Sequence, residues 1–156
     1  MKRRLYILLA ILTVNRFYVF AQHNELELTQ LRVDSIVKEN VHDNIYWIAF
    51  CSLENKSKDP LTYWTMSCSW PAFFVIDKAE FQIEGFDCEI DEPDIWKLSS
   101  GETREIALRI FQKQPDTKLP KEIKVGFSCL HANTPLNLTR MTSEDNFIWS
   151  KKIILP

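Results

Sequence analysis

The feature that most constrains the fold of this chain is an alternation of apolar and polar residues with a period of two. Residues 123–129 show it most clearly, with isoleucine, valine, phenylalanine and cysteine at every second position. Such a period is typical of a β-strand with one buried face. Residues 45–53 are apolar on both faces of the alternation. That run predicts a central strand that is buried on both sides or covered by the chain ends.

Turn signals divide this pattern into short segments. Polar stretches such as residues 55–60 and 99–102 separate the segments,. A helix fits only within residues 35–44. The predicted strands span residues 26–33, 45–53, 61–70, 73–77, 81–86, 95–98, 105–111, 123–129 and 147–155. About seven to nine short strands at this spacing favour an all-β fold of two packed antiparallel sheets over a barrel, which the sequence leaves open.

Residues 1–21 are typical of a secretory signal peptide. A basic start from Lys2 to Arg4 precedes an apolar run, and small residues suit a cleavage site before Gln22,. A retained membrane anchor is the alternative, but the run is short for a membrane span. We therefore expect an exported protein, periplasmic or secreted. Its single domain would cover residues 22–156 and would have no membrane span after cleavage.

The charge balance limits the kind of partner. The whole chain has 19 Lys and Arg residues against 21 Asp and Glu residues, a formal net charge of −2. Loss of the signal peptide removes four basic residues and no acidic one, which leaves 15 basic residues and a net charge of −6. An acidic chain without a basic stripe is poorly suited to nucleic acid. We therefore expect no nucleic-acid partner.

The four cysteines of an exported chain predict oxidation, and four cysteines allow three connectivities,. Cys51, Trp64 and Cys129 lie on three predicted strands and resemble the Cys…Trp…Cys pattern of immunoglobulin domains,. That resemblance implies a Cys51–Cys129 bridge between two sheets, although two buried thiols would pack nearly as well. The remaining pair, Cys68 and Cys88, is 20 residues apart and closes its loop easily,. Cys68–Cys88 is therefore the favoured disulfide.

Three further features carry a resemblance that covers the mature chain. They are the small residues before Gln22, the turn over residues 55–61 that leads into a Trp-rich strand, and a Leu98–Glu102 hairpin. Together they resemble small exported bacterial proteins with an immunoglobulin-like sandwich. The resemblance implies that fold and an exported location, and it implies no activity.

Two kinds of metal site can be drawn from the sequence. Soft sulfur ligands suit Cu(I), and a site of that kind would use Met66, Cys68, Cys88 and His131. The closely spaced Cys and His pairs of structural metal sites are missing, and a disulfide would consume two of these ligands.

An acidic loop offers oxygen ligands for calcium without the glycine-punctuated spacing of an EF-hand. Its acidic residues are Asp87, Glu89, Asp91, Glu92 and Asp94. A solvated loop is the simpler interpretation, and we expect no cofactor.

Familiar catalytic motifs are missing from the sequence. It contains neither the G-x-S-x-G pattern of a nucleophile elbow nor the H-E-x-x-H pattern of zinc peptidases,. A Cys129–His131 pair would need both side chains on one face of a strand, which a period of two permits, but that face is the buried one, where cysteines are inert. We therefore expect a chain that is not an enzyme and has no catalytic residue.

An excess of tryptophan favours a role in binding. The chain has 5 tryptophans, and this residue is enriched at interface hot spots. The candidate anchors are Trp64, Trp70 and Phe73. We expect a non-catalytic exported module that binds a protein or cell-surface partner. The alternatives are an inhibitor of a secreted protease, with residues 131–146 as its inserting loop, and a copper- or other metal-handling protein.

Two short motifs match the N-glycosylation acceptor pattern. They begin at Asn55 and Asn137, and both fall in predicted loops,. The pattern has a meaning only if the host glycosylates exported proteins.

Overall fold

A computed structural model describes residues 28–41, 44–114, 119–133 and 146–156. Within these residues the chain is all-β, with eleven strands and one short 3-10 turn. The predicted signal peptide, the motif at Asn137 and most of the 131–146 loop lie outside them. No helix in the described part of the chain is long and apolar enough to cross a membrane.

The strands are antiparallel to their neighbours and follow the predicted order closely. Their bounds are β1 Thr29–Val41, β2 Asn44–Asn55, β3 Leu61–Met66, β4 Phe74–Ile76, β5 Phe81–Ile83, β6 Pro93–Leu98, β7 Thr103–Gln112, β8 Glu122–Ile123, β9 Val125–Ser128, β10 Phe147–Trp149 and β11 Ile153–Ile154. The 3-10 turn spans Trp70–Phe73, between β3 and β4. The strand predicted over residues 61–70 therefore ends early, at Met66.

Four strands form the largest sheet, in the order β1-β2-β7-β5. Residues 35–41, where a helix could be accommodated, belong to β1 instead. Their β-branched members Ile36 and Val37 pair with Ala49 and Ile48 of β2, and such residues suit a pleated strand better than a helix. A β-bulge at residues 33–35 shifts the register within β1.

The central strand β2 is buried on one face only, which corrects the prediction that both faces are covered. Trp47, Ala49 and Leu53 point into the core. On the opposite face Ile48 is half-buried and Phe50 is 44% exposed. The face with Trp47, Ala49 and Leu53 is buried because these residues share a hydrophobic cluster with residues of the other sheets.

The remaining strands form three smaller sheets, β10-β9-β4, β11-β8 and β3-β6. Backbone hydrogen bonds connect them. The Trp64 N–H donates to the carbonyl of Leu130 over 2.7 Å, and the Ala132 N–H donates to that of Thr62 over 3.0 Å. Strand β3 therefore lies beside the residues that follow β9, while β4 lies beside β9 itself. Residues 67–73 form an excursion between these two strands.

One hydrophobic cluster joins the four sheets. The rings of Tyr63 on β3 and Phe127 on β9 meet edge to face with centroids 5.7 Å apart. The hydroxyl groups of Thr29 and Tyr63 share a hydrogen bond that links β1 to β3. The core therefore lies between the inner face of the four-stranded sheet and the smaller sheets.

The predicted hairpin over Leu98–Glu102 is instead a connection between sheets. Strand β6 pairs with β3, whereas β7 pairs with β2 and β5. The turn requires a left-handed residue, which Gly101 supplies with a φ of 72°,. Strands β6 and β7 each pair with an antiparallel neighbour in their own sheet. Their alternation of residues is therefore the same as that of two strands in a hairpin, and the sequence does not distinguish the two arrangements.

Asn55 fastens this connection to the end of β2. Its side chain is fully buried, and the Nδ2 group lies 2.9–3.0 Å from the carbonyl oxygens of Asp59, Leu98 and Ser99. The Ser57 N–H donates to its Oδ1 atom over 2.8 Å. A glycan cannot occupy this position in the folded chain, and Asn55 is the last residue of β2 rather than part of the predicted loop.

Candidate functional site

The excursion over residues 67–73 is tied to the loop that follows β5. Cys68 and Cys88 form a disulfide with their Cα atoms 6.3 Å apart, in agreement with the pairing favoured from the sequence. The Ser67 N–H donates to the carbonyl of Glu92 over 2.8 Å. One covalent bond and local hydrogen bonds therefore restrain this end of the molecule.

Asp91 adds a second tie between the same two segments. Its carboxylate accepts hydrogen bonds from the N–H groups of Cys68 and Ser69, at 3.0 and 3.1 Å, and from the Ser69 hydroxyl. The hydroxyl and N–H of Ser69, with a smaller contribution from Cys68, hold the pKa of Asp91 below its usual range,. The ionised form of Asp91 therefore supports the position of the loop.

Five aromatic rings lead from the core to the surface beside this disulfide. We call them the aromatic ladder: Phe127, Phe74, Trp96, Trp70 and Phe86. The ring centroids of Phe74 and Phe127, both buried, are 4.9 Å apart, and Trp96 stacks on Phe127 at 6.1 Å. Trp70 lies 5.7 Å from Trp96 and 5.9 Å from Phe86. Phe86 is 58% exposed, so the outer end of the ladder is open to solvent.

Charged and aliphatic residues lie near the ladder, either in contact with one of its rings or close to its members in the sequence. The Arg104 guanidinium lies 4.8 Å from the Trp96 ring centroid, close enough for a cation–π contact,. Ile90 and Ile95 are exposed nearby in the sequence. Four acidic residues of the neighbouring loop and strand are also exposed, namely Asp87, Glu89, Glu92 and Asp94. The surface thus combines large apolar area with polar groups at its margin, as interface cores and rims do.

The structure brings one of the three predicted anchors into the ladder. Trp70 is half-buried within it, and Trp64 is half-buried on β3. Phe73 is fully buried, because the 3-10 turn directs Pro71 and Phe73 into the core. The prediction that Phe73 is a binding anchor is therefore wrong.

Two ladder residues were not singled out by the sequence. Phe86 lies at the end of a predicted strand, and Trp96 was one tryptophan among several. Both become prominent only through contacts with Trp70, which comes from a different segment. No short-range sequence signal marks such contacts.

The residues considered for metal binding have other roles here. The sulfurs of Cys68 and Cys88 are bonded to each other, so neither is available as a thiolate. The backbone of His131 pairs with that of Tyr63 in an isolated antiparallel bridge, and the centroids of their two rings are 6.3 Å apart. Met66 is half-buried on β3. Among the described residues no group of three or more His, Cys, Asp or Glu side chains converges.

The implied bridge between Cys51 and Cys129 does not form, which corrects the expectation drawn from the immunoglobulin pattern. Cys51 is buried in the middle of β2, where its Sγ lies 3.7 Å from the carbonyl oxygen of Ala49. Cys129 follows the end of β9 at Ser128 and is only partly buried against the core cluster. Burial, with a smaller effect of Asp34, raises the pKa of Cys51 to about 12. This thiol is therefore unsuited to nucleophilic chemistry.

The chain matches no protein-family model and no curated protein.

Proposed function

We propose that the chain is an exported, non-catalytic binding module with an immunoglobulin-like two-sheet sandwich fold. It binds a protein or cell-surface partner through the aromatic ladder. The observation that carries the proposal is a continuous series of ring contacts from the buried Phe127 to the exposed Phe86. A partner would meet side chains that the core already holds in place.

The arrangement of strands supports the sandwich form. The four-stranded sheet packs one face against a hydrophobic cluster that strands of the smaller sheets share. Strands β3 and β4 lie along the chain that contains β9, as expected if these strands form a second layer. Loops at the ends of such layers are common recognition sites.

The disulfide supports an exported location. Disulfides persist in oxidising compartments and are rare in reducing ones. The Cys68–Cys88 bond joins two surface segments rather than two core strands. The signal peptide predicted for residues 1–21 agrees with the same location.

Rigid aromatic anchors are energetically suited to this role. Trp and Tyr dominate interface hot spots, and anchors that are ordered before binding lose little conformational entropy. Trp70 contacts three other rings, those of Phe74, Phe86 and Trp96. Its conformation is therefore restrained before a partner arrives.

A site-specific crosslinking experiment tests the proposal. A photoreactive phenylalanine analogue replaces Phe86 in the full chain, and a matched protein carries it at the exposed Ile154 of β11. We expect a discrete adduct with a surface component of the native host from position 86 and none from position 154. Excess unlabelled chain should compete for the adduct, and its Trp70→Ala variant should not.

Equal labelling from both positions, or equal competition by the two unlabelled proteins, would contradict the proposal. Turnover of a substrate by the purified chain would contradict its non-catalytic part. No observation within the described residues favours the protease-inhibitor or metal-handling alternative.

A further inference from the structure

The outer face of the four-stranded sheet carries a continuous apolar surface. We call it the outer patch: Val37, Ile48, Phe50 and Ala107. Val37 lies opposite Ile48 in the register, and Phe50 lies opposite Ala107. Val37 is 51% exposed and Phe50 is 44% exposed. The patch therefore crosses three strands at the centre of the sheet, where β2 lies between β1 and β7.

This composition is unusual for a sheet face that meets water. An antiparallel sheet with one solvated face alternates apolar residues inward with polar residues outward. Strand β2 departs from that alternation, because Ile48 and Phe50 are apolar on the outward face while Trp47 and Ala49 fill the inner face. Single exposed apolar residues need no explanation, but contiguous ones mark interaction surfaces.

Charged residues on the same face make the margin of the patch acidic. Arg32 lies between two carboxylates, 3.7 Å from Asp34 and 3.3 Å from Glu54. Arg109 also lies between two, 3.4 Å from Glu39 and 3.1 Å from Glu84. A further acid, on β7 opposite Ser52, shares the face; it is Glu105. Two arginines against five carboxylates leave the margin with a net charge of −3.

Both arginines already pair with carboxylates of this chain. Each is engaged by two acids, and the Arg109 guanidinium also lies 4.1 Å from the Tyr46 ring centroid. Like charges on both sides would oppose a second copy of the chain, and they would also repel an anionic lipid surface. The complementary occupant is cationic at its edges and apolar at its centre.

We propose that the outer patch is a second interaction surface, distinct from the aromatic ladder. It binds a segment of a partner protein in which an aliphatic or aromatic anchor is flanked by lysine or arginine. The anchor covers Phe50 and Val37, and the flanking cations approach Asp34, Glu39 and Glu105. No ring of the aromatic ladder belongs to the four-stranded sheet, so the two surfaces can be tested separately.

Nuclear magnetic resonance titration of the isotope-labelled full chain tests the proposal with defined probes. One synthetic peptide has a Leu-Phe-Leu centre flanked by lysines, and its matched control has the same centre flanked by glutamates. We expect the lysine-flanked peptide to shift the amide signals of Val37, Phe50 and Ala107, with weaker binding at higher salt. The glutamate-flanked peptide should leave those signals unchanged.

Two substitutions of matched exposure locate the contact. Phe50→Ser should weaken binding of the lysine-flanked peptide by at least about tenfold. Ile95→Ser, at a residue that is 46% exposed on β6 beside the aromatic ladder, should have no effect. Glu105→Lys should reduce the preference for the lysine-flanked peptide, because it changes the net charge of the margin from −3 to −1. Thermal melting confirms that each variant remains folded.

Several outcomes would overturn the proposal. They are absence of binding, equal binding of both peptides, or unchanged affinity for the Phe50→Ser variant. Signals that shift at Trp70 and Phe86 instead would assign the peptide to the aromatic ladder and would leave only the proposed function standing. Concentration-dependent sedimentation abolished by Phe50→Ser would assign the patch to a second copy.

Discussion

At the residue scale, Asn55 illustrates how a buried amide can hold two turns together. Its side chain lies within hydrogen-bond distance of three backbone carbonyls on two different segments. Its own backbone adds to the junction, since its N–H donates to Glu102 and its carbonyl accepts from Gly101. Because position 55 is fully buried, water cannot replace these hydrogen bonds if the amide is removed.

We predict that Asn55→Ala lowers the free energy of unfolding by about 2–3 kcal/mol, because buried carbonyls lose their donor. Asn55→Asp should cost at least as much, since a carboxylate supplies no donor and its charge is buried. Urea denaturation measures both. Lys56→Ala, at the exposed neighbouring position, is the control and should change stability little,. A loss below about 1 kcal/mol for Asn55→Ala would contradict this role.

Gly126 on β9 offers a second residue-scale prediction. A Cβ atom there would lie 2.9 Å from the Cε3 and Cζ3 atoms of Trp149 and 3.0 Å from Cγ2 of Val75. We expect Gly126→Ala to destabilise the chain by about 1–3 kcal/mol through overpacking. In a Trp149→Ala background the same change should cost less, and a double-mutant cycle measures the coupling. Gly85→Ala, with no atom within 4 Å, is the matched control.

At the scale of an element, the loop bearing Asp91 should respond to acid. Because its folded-state pKa is lowered, the stabilisation is fully present above the unfolded-state pKa and is lost as pH falls through the folded one. We predict that the protection factors against amide exchange at Cys68 and Ser69, taken relative to the intrinsic exchange rate at each pH, fall in that acidic range. Asp91→Asn should show fast exchange already at neutral pH, whereas Asp87→Asn should behave like the native chain. Unchanged exchange in Asp91→Asn would contradict the assignment.

The elements themselves follow from the sequence more readily than their partners do. The alternation of apolar and polar residues predicts nearly every strand, because successive side chains of a strand point to opposite faces of the sheet. The run that is apolar on both faces also predicts the central position of β2. The alternation does not distinguish the inter-sheet turn at Leu98–Glu102 from a hairpin, since that depends on which strands pair. It also does not decide between helix and strand for residues 35–41, which pair with β2 as part of β1.

The candidate site was less predictable for the same reason. The short separation of Cys68 and Cys88 in the sequence predicts their pairing, and the composition shows the excess of tryptophan. The burial of Phe73 and the exposure of Phe86 depend on how three distant segments meet. The apolar outward face of β2 was visible in the sequence, but periodicity could not tell a covered face from an open one.

At the scale of the whole molecule, the hydrophobic cluster stabilises the fold, and the disulfide restrains the outer end of the aromatic ladder. The hydrophobic cluster joins residues from all four sheets and includes neither Cys68 nor Cys88. The disulfide instead restrains the excursion and loop that carry Trp70 and Phe86. The fold should therefore survive without this bond, while the ladder should lose part of its order.

We predict that the double variant Cys68→Ser/Cys88→Ser folds with an unchanged far-ultraviolet spectrum but is less stable by about 3 kcal/mol, the chain-entropy value for a loop of this length. Urea denaturation measures the difference, and the native chain under reducing conditions is the control. Since Cys51 and Cys129 are not bridged to each other, reduction should lower native stability by the same amount and leave the variant unaffected. A variant that fails to fold would show that the core depends on the bond. Uptake of copper by the reduced native chain but not by the double variant, with stability unchanged, would instead favour the metal-handling role, because a structural disulfide acts on the unfolded chain and not on a ligand.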